Sequence, residues 1–346
     1  MSYISLAAGC VIILLIISDI IFTVFAPHGS GFLSDSISKG IWRILLNLTN
    51  KSGKLKMLNN SGTIIIVILM FVWLSLLWLG FTLIYCFDTD SVINATTKIP
   101  TTTTEKFYYI GYTLSTLGYG DFQGGNQFWQ VLSSVISFTG LILITTAITY
   151  LVPVTNAEID KRKLGIYIST LGTTPDQILT TGWNGKNFKD LNDHFLDLIE
   201  KILENSQNHL AYPILHYFHT SDQNEASTLN IALLDETLSI LIHHVKHDMR
   251  PDDQYLLPLR RAITTYLETL RHAFIKPTDN LPEVQDLMVL KKTKIPALQS
   301  IIEDKDTLEL NDNLEKRRKL IYALLKNDGW DWSDLYNERE KGDLEL

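Results

Sequence analysis

Hydrophobic and polar positions are distributed unevenly along the chain. Three stretches are almost continuously apolar, at about 4–26, 63–86 and 127–152. A helix rises ~1.5 Å per residue, so each can cross the ~30 Å hydrocarbon core of a bilayer. The first has no basic residues ahead of it, and its apolar run exceeds the ~7–15 residues of a signal-peptide core, so it reads as a membrane helix. Beyond residue 155 the pattern changes to helical periodicity. Leu191, Phe195, Leu198, Ile199 and Ile202 fall on one face of a 3.6-residue repeat. Thr174-Pro175-Asp176 reads as a helix start. Further amphipathic runs lie near 226–247, 256–274, 283–303 and 313–327, and no stretch alternates as a strand does. The segment 36–58 reads either as a short interfacial helix with a Lys-rich turn or as an ordinary connector.

Charge sharpens this division. Residues 1–154 hold only seven of the 30 Lys/Arg and six of the 38 Asp/Glu, so the acidic balance of the whole chain, −8, comes from 155–346. An acidic soluble half excludes a nucleic-acid partner, which needs a basic face. Five Lys/Arg (Lys39, Arg43, Lys51, Lys54, Lys56) lie between the first two spans, and Lys161, Arg162 and Lys163 follow the third. The positive-inside rule then places 27–62 and the C-terminal half in the cytoplasm, with the N-terminus and 87–126 outside the inner (plasma) membrane. Cys10 and Cys86 both sit in or beside apolar runs, which excludes a disulfide framework or a cysteine zinc site.

Between the second and third spans lies Thr116-Leu117-Gly118-Tyr119-Gly120-Asp121, preceded by a helical run, about 104–115, too short to span. The string, the short helix and their outward placement together resemble the pore loop of tetrameric potassium channels. That resemblance covers about 63–153. It implies that the carbonyls of Thr116, Leu117, Gly118 and Tyr119 replace the hydration shell of potassium ions. It also implies that Tyr119 braces the filter and that Asp121 sits behind the outer mouth. Thr113 and Ser115 would support the base. Glycine visits positive φ freely, which suits Gly118 and Gly120 to a filter of alternating handedness. The family builds its pore from four such loops, so one string per chain implies a homotetramer. Leu117 departs from the Val or Ile of many relatives, at a side chain facing away from the ion. Tyr119 occupies the position that separates selective from poorly selective filters in the family.

Other residues carry weaker signals. Gly140 fits either a hinge or close packing in the inner helix, and Pro153 is expected to end that helix, with a bend at a gate near the inner mouth as the alternative. Asp19 is the single charge within the first span. It is expected to bond a neighbouring helix or Lys39 or Arg43, with ion or proton sensing as the alternative. His209, His216 and His219 form one histidine group and His243, His244 and His247 a second. His243 and His247 are four apart and, with Asp248 nearby, form a candidate metal pair. The other active reading is pH sensing, and both are set against an ordinary packing or surface role. The charge runs 303–306 and 316–319 are expected on solvated faces. No catalytic constellation, Gly-rich phosphate loop or dinucleotide fingerprint is present, so the chain reads as a non-enzyme with no cofactor beyond permeant potassium.

The expected fold is therefore an all-α membrane protein in three parts. Residues 1–62 form an N-terminal membrane helix and cytoplasmic segment, 63–154 a two-helix pore domain with re-entrant pore helix and filter, and 155–346 a helical cytoplasmic domain. The expected function is passive potassium conduction, with 155–346 assembling or gating the pore and offering a surface to an unidentified ligand or protein. The rival readings are a weakly selective cation channel and a non-conducting sensor or scaffold with a channel fold.

Overall fold

A computed structural model describes residues 2–26, 29–273, 282, 295–299 and 312–339. Its elements in chain order are α1 (Ser2–Val24), α2 (Phe32–Leu48), α3 (Ser61–Tyr85), β1 (Val92–Asn94), α4 (Thr103–Leu114), β2 (Phe122–Gly124) and α5 (Gln127–Leu171). There follow α6 (Pro175–Gly182), α7 (Leu191–Ala211), α8 (Ser227–His244), α9 (Asp253–Ala273), the single turn α10 (Pro296–Gln299) and α11 (Asp312–Asn327). α1, α3 and α5 are long and apolar enough to cross a membrane. Contacts divide the chain into two compact units, 1–40 with 63–155 and 41–62 with 156–346.

In the first unit α1 and α3 approach closely where both present glycine. A Cβ on Gly9 would come within 2.6 Å of the Gly80 carbonyl oxygen, and one on Gly80 within 2.8 Å of Ile13. Small residues at such crossings let membrane helices pack backbone to backbone. The core joins Ile13, Ile16, Trp73, Leu77 and Phe81 to Tyr109, Ile110 and Leu114 of α4 and to Ile136 and Leu143 of α5. Elsewhere the spans present large apolar side chains outward. Phe71 is 64% and Phe138 66% exposed in the single chain, a surface suited to lipid or partner helices rather than water. A two-stranded antiparallel ribbon pairs Val92 with Gly124 and Asn94 with Phe122, tying the segment before α4 to the segment after the TLGYGD string.

Among its described residues the second unit is built of helices joined by turns and coil. α8 is buried on every side from Ser227 to Leu241, as expected of a helix at the centre of a bundle. α6, α9 and α11 pack against it and α7 packs along α9, with Leu191, Phe195, Leu198 and Ile202 of the predicted α7 face buried and Ile199 partly buried. Thr174 caps α6 by accepting from the Gln177 N–H, with Pro175 in the first turn.

Three expectations change. Pro153 does not end its helix, since α5 continues to Leu171. Proline removes one helical donor and its ring crowds the preceding turn. Beyond it, Ala157, Leu164, Ile168 and Leu171 bury a regular apolar face that holds the helix together. The segment 41–62 does not stand with the N-terminal helix but belongs with the C-terminal residues. Trp42 is buried beside Tyr217 and His219 and donates to the Asn327 carbonyl at 3.2 Å, while Lys54 pairs with Asp334 at 2.7 Å. The basic run 316–319 is not wholly solvated. Arg317 and Arg318 turn inward onto Asp235 and Glu236 of α8. The run 303–306 lies outside the described residues, as does most of 283–303.

Candidate functional site: the pore loop

The loop is built outward from α4. Thr102 and Glu105 form a reciprocal capping box, each side chain bonding the other's backbone N–H, which fixes where the helix begins. Lys106 is buried one turn in, donating to the Tyr85 carbonyl at 3.1 Å and to the Asp88 carbonyl at 2.5 Å. These bonds anchor the start of α4 to the end of α3. At the other end the chain folds back on its own last turn. The Leu117 N–H donates to the Tyr112 carbonyl at 2.9 Å, the Thr116 N–H to Thr113 at 3.1 Å, and the Ser115 hydroxyl to Tyr112 at 3.1 Å. Thr113 and Ser115 both take part in this turn, Thr113 as a backbone acceptor and Ser115 through its hydroxyl.

The backbone that follows alternates in handedness. Thr116 (φ 61°), Gly118 (φ 57°) and Gly120 (φ 80°) are left-handed, whereas Leu117 and Tyr119 are not. Such alternation turns successive carbonyls toward one side of the chain instead of opposite sides. Glycine adopts it freely, but Thr116 does not, and a left-handed L-residue costs about 1–2 kcal/mol. Strain of this kind persists where the surroundings impose it, and it concentrates at functional sites. Residues 115–121 are all exposed in the single chain, with Tyr119 at 66%. Its ring lies 6.4 Å from Tyr108, nearly parallel, and edge-on to Tyr112 at 6.1 Å. Asp121 lies within reach of the Tyr108 and Tyr112 hydroxyls on α4. Its carbonyl accepts from the Ala95 N–H at 2.9 Å, beside the ribbon. The six residues of the string thus form one continuous strip held at its lower end by α4 and at its upper end by the ribbon.

Residues 64–156 match the family model for ion channels. The matched region spans nearly all of α3, the α4 helix, the TLGYGD strip and α5 as far as the second unit. Over 311 residues the whole chain is 28% identical to an uncharacterized membrane protein, YdjJ, of Bacillus subtilis (strain 168), covering 90% of this chain and 89% of that protein. No solved structure matches it significantly.

Gly140, within the matched region, touches the end of α4. A Cβ there would run into the Leu114 carbonyl oxygen. The contact makes Gly140 a packing residue, and α5 runs through it without a break. Gly140→Ala is accordingly expected to destabilise the protein by roughly 1–3 kcal/mol through overpacking. The check is thermal unfolding of the purified protein, where a pure hinge role would leave the midpoint unchanged.

Asp19 is buried, and its carboxylate is fully engaged. It accepts from the Leu33 N–H (2.9 Å), the Ser34 N–H (3.2 Å) and hydroxyl (2.5 Å), and the Trp73 indole (2.9 Å). It caps α2 from a distance, an acid at the positive end of a helix. Its partners thus lie on α2 and α3. Lys39 instead pairs with Asp35 at 2.7 Å.

His243 and His247 do not share a helical face. α8 ends at His244, Val245 is extended, and His247 stands in the following turn, exposed and 3.3 Å from Asp253. Among the described residues no group of three His, Cys, Asp or Glu side chains is placed to hold a metal ion. His209, His216 and His219 are all buried. Desolvation, with the Lys161 charge nearby, pushes the His209 imidazole down to about 3, so it is neutral. The Asn327 side-chain amide lies 2.7 Å from His216 Nε2. His219 is described further below. The buried Lys106, the Asp19 cap and the inward Arg317 and Arg318 escape a reading of sequence because their partners lie far along the chain. The only local signal is a charge set within an apolar or helical pattern.

Proposed function

We propose that four copies of this chain enclose a single pore that conducts potassium ions passively and selectively across the plasma membrane. The observation carrying this reading is the left-handed alternation at Thr116, Gly118 and Gly120 in a TLGYGD strip placed at the end of a short capped helix. A dehydrated potassium ion needs oxygens in place of water, and successive carbonyls of Thr116, Leu117, Gly118 and Tyr119 turned to one side supply them. The Thr116 hydroxyl closes the inner end. Irregular backbone at membrane depth is tolerated only within protein or along water, and the strip is exposed in a single chain, so partner copies must cover it. The last turn of α4 directs its partial negative charge toward the strip and favours a cation there. Tyr119 and Asp121, placed against Tyr108 and Tyr112, brace the strip from behind.

The distribution of Lys and Arg supports an N-terminus outside and the second unit in the cytoplasm. There the unit assembles or gates the pore, with no catalytic step. A bi-ionic reversal potential on the full chain in planar bilayers tests the reading. With potassium on one side and sodium on the other, the reversal potential is expected to lie far toward the potassium equilibrium value. Comparable sodium and potassium currents would replace it with a weakly selective cation pore.

A further inference from the structure

His219 is buried within the second unit with both ring nitrogens facing acceptors. Nε2 lies 2.7 Å from the Gly53 carbonyl oxygen and Nδ1 lies 3.3 Å from Asp328 Oδ1. The two acceptors belong to segments more than 250 residues apart: the turn after α2 and the end of α11. The ring is stacked on Trp330 at 5.7 Å and faces Trp42 at 6.0 Å, so it cannot swing away to other partners. Next to it the Gly53 N–H donates to the Gly329 carbonyl at 2.7 Å.

A neutral imidazole has one N–H and one lone pair, whereas the imidazolium has two donors. Only the protonated ring can satisfy both acceptors. The neutral ring leaves a lone pair against either the Gly53 carbonyl or the Asp328 carboxylate. We propose that His219 is a proton-dependent pin that fastens the turn at 50–55 to the end of α11 when charged and loosens it when its proton is lost.

The charged surroundings decide which member of the pair titrates. Asp328 is opposed by its burial, but the His219 hydrogen bond and the charges of His219 and Lys161 hold its carboxyl below the usual carboxylate range. It therefore keeps its charge across neutrality, while histidine is the side chain that ordinarily changes charge between about pH 5 and 8. From α5, Lys161 donates to the Leu215 and Phe218 carbonyls at 3.1 and 2.7 Å. Glu158 and Arg162, with Glu225 from the turn before α8, line the same small cavity as His219, and Arg162 pairs with both acids. His216 lies on the same segment as His219, engaged with Asn327. On the other side of the turn, Lys54 is committed to Asp334. The sign follows. The His219 contribution is present while the ring carries both protons and faces both acceptors, and it is lost when one proton leaves. The Asp328 contribution is lost only at acid pH.

Hydrogen–deuterium exchange on the full chain tests the pin without relying on conduction. Protection of the amides at 51–53, corrected for intrinsic exchange, is expected to fall about tenfold between pH 5.5 and 8, the scale of one charge-assisted hydrogen bond. The core of α8 at 230–240 should stay protected throughout. In His219→Gln, protection at 51–53 should be low and independent of pH. Wild-type protection that does not change with pH would overturn the proposal, and this arm needs no variant to fold. A pH dependence that survives in His219→Gln would also overturn it, by assigning the titration to His216 or another group.

Discussion

Gly118→Ala is expected to abolish potassium selectivity in the proposed filter. Gly118 sits at φ 57°, and an added Cβ would meet nothing within 4 Å in its own chain. The cost is therefore torsional. It amounts to about 1–2 kcal/mol for one left-handed L-residue. Four copies around one pore multiply it to roughly 4–8 kcal/mol per assembly. Thr116 already holds one such conformation at φ 61°, so the strip has little tolerance for another. The cheapest relaxation takes residue 118 to negative φ, which turns a carbonyl away from the ion path and removes one ring of oxygens. The bi-ionic reversal potential should then collapse toward zero or the current should vanish. Gly185→Ala is the matched control. Gly185 also has a positive φ (93°) with open space around it, but it lies in a turn of the second unit. It should pay the same torsional cost and leave the reversal potential where it was. Unchanged selectivity in Gly118→Ala would remove 116–121 from the ion path.

The contrast between these two glycines shows what the sequence makes legible. Gly118 announces itself because the strip around it is local: six consecutive residues, a short helical run before them, and apolar spans on both sides. The structure places that helix at Thr103–Leu114, against 104–115 read from the pattern. The periodicity of α7 and the Thr174-Pro175 start of α6 are equally local and equally legible. What stays hidden depends on distant partners. Nothing near Pro153 says that burial of Ala157, Leu164 and Ile168 will carry the helix past it. Nothing near Gly53 says that its N–H and carbonyl will be taken by Gly329 and His219. His243 and His247 mislead for the opposite reason. Their spacing is helical, but the helix stops at His244 between them.

Arg317 and Arg318 carry the same lesson into energetics, and they support the largest expected loss of stability. From sequence they belong to a basic run that any solvated helix face could hold. In the structure Arg317 meets Asp235 through Nε (2.9 Å) and Nη2 (2.5 Å), while Arg260 reaches the same carboxylate at 2.7 Å. Arg318 pairs with Glu236, which also accepts from the Tyr336 hydroxyl at 3.3 Å. Asp235 is 2% exposed and sits where α8, α9 and α11 meet. Burial works against the charge of Arg260, and Asp235 is what offsets it. Asp235→Ala leaves two guanidinium groups facing each other without the carboxylate they share. Breaking a buried pair in this way costs about 3–5 kcal/mol, because the remaining charge is desolvated and unpaired. For a unit of this size that corresponds to a fall of roughly 6–20 °C in the unfolding midpoint, read by circular dichroism on the purified protein. Replacing all three members with apolar residues of similar volume (Asp235→Leu, Arg260→Met and Arg317→Met together) should recover most of that loss. Desolvation of the intact charges consumes much of their mutual attraction. A triple variant as unstable as Asp235→Ala would show instead that the hydrogen bonds from Arg317 to Thr264 and from Arg260 to the Asp235 carbonyl hold the three helices together.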